Sequence, residues 1–266
     1  MTAIERLTTI IIWTVACAVA LFMMAPLVVA VIVSFSASPV FNLPPPSWSL
    51  RWYTILASKP ELLDAVSLSV QIALISTAIS LILGTLCAIA VAQGRFPGRE
   101  AISTFMISPL MMPGLVLGVA LLQFLRGYGL RDAYLGLLIG HVVITLPLVM
   151  RNVQAALSLF DFSLLEAART LGMAPPKAIL KVLVPLLAPA YLTSGLFAFL
   201  SSIDNYPISM FLVDAHHKTL PIQLLVYLES SPDPTIAAIS TCLIVLTVLF
   251  LLIADRLVGL RRLAEF

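Results

Sequence analysis

One carboxylate lies where a carboxylate is expensive. Asp204 falls in Ser201-Ser202-Ile203-Asp204-Asn205-Tyr206-Pro207, within a long apolar stretch. At membrane depth such a group costs at least about 2.5–3.5 kcal/mol on insertion scales, so it normally faces protein or water. Pro207 disfavours a helical Tyr206 and frees backbone groups nearby. Asp204, Asn205 and Tyr206 therefore read as an unwound polar stretch lining a cavity, where a carboxylate attracts a cationic solute. The competing reading makes Asp204 a hydrogen-bond acceptor at a subunit interface. His141 and Gln71 also interrupt apolar runs and read as internal hydrogen-bonders rather than ligands. His216 and His217 follow Asp214; they are metal-ligand types, but a solvated loop is the simpler reading and no metal is expected. The sequence has no G-x-x-x-x-G-K-[ST], H-E-x-x-H or G-x-S-x-G, and no pair of carboxylates at catalytic spacing. No catalytic residue, no cofactor and no enzymatic activity are expected in this chain.

A second group of residues has chemistry of a different kind, that of a docking surface. The stretch Glu166-Ala-Ala-Arg-Thr-Leu-Gly172-Met-Ala-Pro-Pro-Lys-Ala-Ile-Leu-Lys-Val-Leu-Val-Pro185 is polar, rich in small residues and interrupted by proline. Ser163 and Glu166 have capping-box spacing. Leu164 to Leu171 then form about two turns, about 12 Å long. Gly172 stands where a left-handed cap ends such a helix. Pro175 and Pro176 suit the first turn of a second helix, where no amide donor is needed. The prediction is two short helices joined by a sharp turn. Ala167, Ala168 and Gly172 carry little bulk, so another protein could approach the backbone closely. An ordinary helix-turn-helix loop with a self-satisfied cap is the plainer alternative.

The elements that position these residues are membrane spans. The chain has 266 residues, 61% hydrophobic and only 11% charged, with a mean hydropathy of +1.08. Soluble domains carry about 25% charged residues, so this composition cannot cover a water-exposed surface and belongs in a lipid bilayer. Cys17, Cys87 and Cys242 lie far apart in apolar runs and read as packing residues. No basic patch with interleaved aromatics supports nucleic-acid binding.

Six spans are expected. The first runs from about Ile10 to Phe35, too long for a signal-peptide core and therefore retained, with Pro26 as a kink. Residues 36–63 read as a loop, its Trp48, Trp52 and Tyr53 suited to the membrane interface. Further spans are Ala65–Ala92, Ala101–Leu125, Ala133–Met150, Pro185–Val213 and Ile236–Leu257, with a polar loop over 214–235. Pro109, Pro113, Gly114 and Gly118 make the third span broken or closely packed. Six spans place both termini on one side. Arg6, Arg95, Arg99, Arg151, Arg169, Lys177, Lys181, Arg256, Arg261 and Arg262 share that side, against Arg51, Lys59, Arg126, Arg131 and Lys218 on the other. The positive-inside rule makes the first side, with the Glu166 loop, cytoplasmic. No repeat or linker divides the chain, so 1–266 reads as one transmembrane domain with a core of about 64–257 and a cytoplasmic loop of about 154–185.

The spacing Glu166-Ala167-Ala168, three residues, Gly172, nine residues, Val182-Leu183-Val184-Pro185 resembles the cytoplasmic loop of permease subunits in binding-protein-dependent ABC importers. Ser49-Leu-Arg-Trp-Tyr53, the Pro109–Gly118 region, Phe199 to Asn205, Ser209-Met-Phe-Leu212 and Leu220-Pro-Ile-Gln223 resemble the second permease of spermidine/putrescine-type systems. That resemblance implies an all-α type I (MetI-like) permease architecture in a bacterial inner membrane. It implies as partners a second permease, two cytoplasmic ATPase subunits that bind ATP with magnesium, and an extracytoplasmic solute-binding protein. Glu166, Ala167, Ala168, Gly172 and Pro185 would couple the chain to the ATPases. A stand-alone transporter driven by an ion gradient is the alternative.

Overall fold

The computed structural model describes residues 3–94 and 96–258. Arg95, Arg261 and Arg262, three of the cations assigned to the cytoplasmic side, lie outside the described residues. The described chain is helical, with one isolated bridge between Ser36 and Trp48. The described residues form two compact units, one within 3–63 and 224–252 and one within 64–94, 96–223 and 253–258.

In the first unit, α1 runs over Ala3–Ser34 as a single helix through Pro26. The loop expected over 36–63 contains a short helix, α2, at Arg51–Ala57. Trp52 anchors it. Its indole N–H donates to the Ser36 carbonyl at 2.6 Å, and the Arg51 guanidinium lies 4.4 Å from the centre of its ring. Burial of an indole is favourable only when its N–H finds such a partner. The polar loop expected over 214–235 likewise contains a helix, α12 (Leu220–Ser230), followed by α13 (Thr235–Val258). Neither stretch is all loop, because short helices hide between prolines that also suit helix starts. Cys17 and Cys242 are exposed rather than packed, and only Cys87 is partly covered. The two exposed cysteines sit on α1 and α13, whose apolar faces the single chain leaves open.

The second unit holds both candidate sites. Helix α3 begins at Pro60, earlier than expected, and runs to Gln93. Its 34 residues measure about 51 Å, well beyond the hydrocarbon thickness of about 30 Å, so it must tilt or protrude. The third expected span is broken, one of the two outcomes its prolines and glycines point to. Helix α4 (Arg99–Ile107) passes through a tight 3₁₀ turn at Ser108–Met111 before α5 (Gly114–Gly127), and the two arms meet at 110°. Pro109 and Pro113 remove amide donors there, which allows the corner. Helix α6 extends past Met150 to cover Ala133–Ser158. The expected loop and the fifth expected span after it both divide into short helices. Helix α7 spans Ser163–Thr170, α8 Pro175–Ala178, α9 Val184–Leu186, α10 Ala188–Ile203 and α11 Tyr206–Leu212. Among the described residues four helices are long and apolar enough to cross a bilayer, and six spans result if each of two bent pairs counts as one.

Two apolar clusters hold this unit together. Val149, Met150, Val153 and Leu157 of α6 pack with Leu165, Ala168, Ala178 and Leu183. Ile72, Leu117, Leu137 and Ile144 pack with Ile208 and Leu212. Helix α11 fits between α5 and α6 because glycines face it. A Cβ on Gly118 would meet Phe211 Cδ2 at 2.7 Å and the Pro207 carbonyl oxygen at 3.0 Å. One on Gly140 would meet Leu212 Cδ1 at 2.6 Å and Ile208 Cγ2 at 2.9 Å. Gly114 and Gly118 are four apart, as are Gly136 and Gly140, the spacing that lets membrane helices approach closely.

Because Gly118 meets backbone as well as a side chain, Gly118→Ala should lower stability by about 1–3 kcal/mol. A methyl group on Gly127 would meet nothing within 4 Å, so Gly127→Ala is the control. Thermal unfolding of the purified protein in detergent should fall clearly for the first and stay near the parent value for the second.

Candidate functional sites

The first site is a corner between α10 and α11. The helix breaks at two residues. Asp204 ends α10 with φ −98° and ψ 9°, and Asn205 is extended, with φ −77° and ψ 97°. The break falls one residue earlier than Pro207 alone would place it, since Tyr206 is already helical. Pro207 sits in the first turn of α11, where a missing amide donor costs nothing. The Asn205 side chain caps α11, accepting from the Ile208 amide at 3.1 Å. Tyr206 donates through its hydroxyl to Met210 Sδ at 3.3 Å. The Asp204 side chain is exposed in this single chain. In a bilayer an exposed carboxylate faces a partner or a watery path, because lipid would penalise it.

Behind the corner lies a buried polar layer. His141 is 2% exposed. Its Nδ1 lies 2.6 Å from Ser202 Oγ on α10 and its Nε2 lies 3.0 Å from Ser209 Oγ on α11. Ser76 Oγ is 3.2 Å from Ser202 Oγ, and Ser80 Oγ is 2.7 Å from Thr145 Oγ1. His141 is thus an internal hydrogen-bonder, while Gln71 is exposed and bonds Ser67 on its own helix. The clustering of Ser202 and Ser209 about His141 is not legible in the sequence. Its only signal there is a set of polar residues at helical spacing inside apolar runs.

The second site is the Glu166 turn. Helix α7 starts within one residue of expectation, but the capping box does not form. Ser163 is the first helical residue and the N-cap position falls to Phe162, with no side-chain cap; one residue earlier, Asp161 Oδ1 accepts from the Ser163 amide at 2.9 Å. The Ser163 hydroxyl and then its amide hold the Asp161 carboxyl below the usual carboxylate range. A depressed pKa means the Asp161–Ser163 bond is present above the ordinary aspartate pKa and is lost only as pH falls through the depressed value. It is therefore intact at neutral pH. Gly172 takes φ +85°. The Met173 amide reaches the Ala168 carbonyl at 3.1 Å and the Gly172 amide reaches the Arg169 carbonyl at 2.9 Å, a complete Schellman closure. Pro175 and Pro176 open α8 as expected. A five-residue π turn, Ile179–Leu183, follows and leads into α9 and Pro185.

Glu166, Ala167 and Gly172 are exposed together with Leu171, which is 87% exposed. Ala168 is buried against the α6 cluster, so its small size serves packing under α7 rather than the outer surface. Pro185 is exposed but belongs to α9, beyond the π turn. A cleft of about 430 Å³ opens beside α7, lined by Gln93, Arg99, Phe162, Glu166, Arg169 and Pro175. Gln93 and Arg99 belong to no motif. They arrive there because α3 and α4 end and begin beside the turn. Between the turn and α10 lie α8, the π turn and α9, and the chain bends by 74° on entering α10, whose 16 residues then span about 24 Å to the corner.

The loop after α11 is organised by a carboxylate. Asp214 Oδ1 accepts from the His216 and His217 amides at 2.8 and 2.7 Å. The His217 amide, more than its imidazole, holds Asp214 below the usual carboxylate range. Among the described residues no three His, Cys, Asp or Glu side chains are grouped to hold a metal ion.

Comparison with known families decides the class. Residues 80–261 match the model of the binding-protein-dependent transport system inner membrane component. The chain belongs to that family. It is 28% identical over 238 residues to the Escherichia coli K12 spermidine/putrescine transport system permease protein PotC, covering 90% of this chain and 89% of that one. It is 30% identical over 230 residues to the putrescine transport system permease protein PotI of the same strain, covering 84% of this chain and 82% of that one. Its fold resembles a chain in the crystal structure of a bacterial ABC transporter involved in the import of the acidic polysaccharide alginate, with a TM-score of 0.71 and 20% identity, covering 97% of this chain and 98% of that one. The architecture is therefore that of an ABC importer permease, all-α and membrane-embedded.

In a family member the Glu166 turn is the natural place to test coupling. The position of a Cβ on Gly172 is open, with nothing within 4 Å, so a side chain there collides with no part of its own chain. The backbone strain is of order 1–3 kcal/mol. Gly172→Asp should therefore abolish uptake while membrane insertion and yield stay near normal. Full uptake by a well-expressed variant would remove Gly172 from the coupling surface.

Proposed function

We propose that this chain is a permease subunit of an ATP-driven importer that carries a polyamine or a related cationic amine or amino-acid-like solute into the cytoplasm. It pairs with a second permease in the bacterial inner membrane as a multi-pass subunit, with both termini cytoplasmic. Two separate ATPase subunits bind ATP with magnesium below it, and a solute-binding protein delivers from outside. Near-full-length similarity to two polyamine permeases carries the solute class. The exposed Glu166, Ala167, Leu171 and Gly172 support docking on the ATPases. Closure of the ATPases on ATP moves the turn, the turn moves α10, and α10 moves the Asp204 corner. Asp204 supplies a carboxylate of the right sign for an ammonium solute, at a point where the span is already interrupted. The family match speaks against a stand-alone transporter driven by an ion gradient.

The test begins with co-expression beside the neighbouring genes and purification through a tag on this chain. A second permease and an ATP-hydrolysing subunit should co-purify. ATP hydrolysis should rise when the binding protein is added with putrescine or spermidine. Asp204→Asn should weaken polyamine uptake by roughly tenfold, equivalent to about 1.4 kcal/mol, at unchanged complex yield. Recovery of the chain from those co-expressing cells without a second permease and without an ATP-hydrolysing subunit would contradict the importer; unchanged uptake by Asp204→Asn would contradict only the carboxylate's role.

A further inference from the structure

The hydrogen bonds around His141 have a direction. The Ser209 hydroxyl donates to the Asn205 carbonyl at 2.6 Å, which uses its only proton. Ser209 Oγ can therefore only accept from His141, so Nε2 carries a hydrogen. At Nδ1 two arrangements remain. Either Ser202 donates to a neutral ring, or a cationic ring donates to Ser202. Thr145 offers nothing to the ring, because its hydroxyl donates to the His141 carbonyl at 2.7 Å. The ring's hydrogen-bond partners are serine hydroxyls, and no carboxylate stands among them. A buried cation without a counter-charge is far costlier than a neutral imidazole. The ring is neutral and protonated on Nε2. One chain of donors follows, from Ser202 to Nδ1 and from Nε2 through Ser209 to the Asn205 carbonyl, while the Ser76 hydroxyl lies between Ser202 and the Ala73 carbonyl at 3.3 Å.

This chain bridges the break. Ser202 precedes Asp204 by two residues and Ser209 follows Asn205 by four, so one ring holds both arms of the corner. Asn205 is tied twice, through its carbonyl and through its capping side chain. We infer that His141 is a positioning residue for the transport path: as a neutral imidazole it fixes the angle between α10 and α11 and so sets where Asp204 and Asn205 present themselves. It is not a ligand of the solute, being covered by the serines. The transport part of this inference rests on the proposed role of Asp204; the tautomer and the clamp do not.

Two measurements test it separately. The sequence has three histidines, so the full-length chain carrying His216→Gln and His217→Gln, purified without a histidine tag and labelled with 15N-histidine in nanodiscs, reports His141 alone. The spectrum should show a protonated Nε2 and an unprotonated Nδ1 at neutral pH. A cationic ring or the opposite tautomer overturns the clamp even if the importer and Asp204 readings stand. In the assembled complex, His141→Phe should raise the uptake KM by roughly tenfold. Its kcat and basal ATP hydrolysis should stay within about twofold of the parent, differential behaviour that mere loss of folded protein would not produce. His141→Gln, which keeps a donor and an acceptor, should recover part of the loss. Ser209→Ala, a smaller lesion, should move KM in the same direction if His141→Phe does not assemble. Unchanged KM in both, or a glutamine variant no better than phenylalanine, overturns the positioning role. If Asp204→Asn is silent while His141→Phe still shifts KM, the solute contact at Asp204 fails and the corner remains.

Discussion

A helix that breaks inside a membrane must satisfy its own loose ends, because lipid offers no hydrogen bonds. Everything around the Asp204–Asn205 corner follows from that constraint. Asn205 caps α11, and Pro207 occupies the one turn where its missing amide is harmless. His141, buried on α6, ties Ser202 to Ser209 across the gap. Glycines on α5 and α6 let the short arm α11 sit close enough for those bonds to form. Without the close approach the polar layer would be left open to lipid. Without the polar layer the broken backbone would be too costly to bury.

The same economy appears at the Glu166 turn. Helix α7 is only eight residues long, too short to be stable by itself. It is held by Asp161 at its start, by the Schellman closure at Gly172 and by Leu165 and Ala168 packed under it. One face is thereby fixed to the membrane domain, and the opposite face, with Glu166, Ala167 and Leu171, is left open. A rigid element with one free face transmits force well. Leu165 and Ala168 under the turn share one apolar cluster with Leu187 and with Ala198 of α10, so α7 and α10 pack into the same body.

Much of this is legible in the sequence, for identifiable reasons. Gly172 and the proline pair mark the turn because each has one backbone conformation that suits it. Asp204 marks the corner because charge is rare in apolar stretches. Other features escape. Ser163 falls one place inside α7 and Asp161 rather than Ser163 accepts an amide at its start, since several nearby polar residues compete for the same amides. The 74° bend between Leu186 and Ala188 escapes because hydropathy reports how apolar a segment is and not whether it is straight. Short helices at Arg51–Ala57 and Leu220–Ser230 lie in stretches whose prolines suggest loops. The His141 layer joins residues more than sixty positions apart, and no local pattern reveals such a contact.

The central claim is that the exposed face of α7 meets an ATPase. A photo-crosslinking amino acid placed at Leu171, the most exposed apolar residue of the turn, tests it in intact cells. Docking there predicts capture of a nucleotide-hydrolysing subunit, with a yield that changes when ATP hydrolysis is blocked. Capture of lipid alone, or of no protein from a fully inserted and assembled chain, would contradict it.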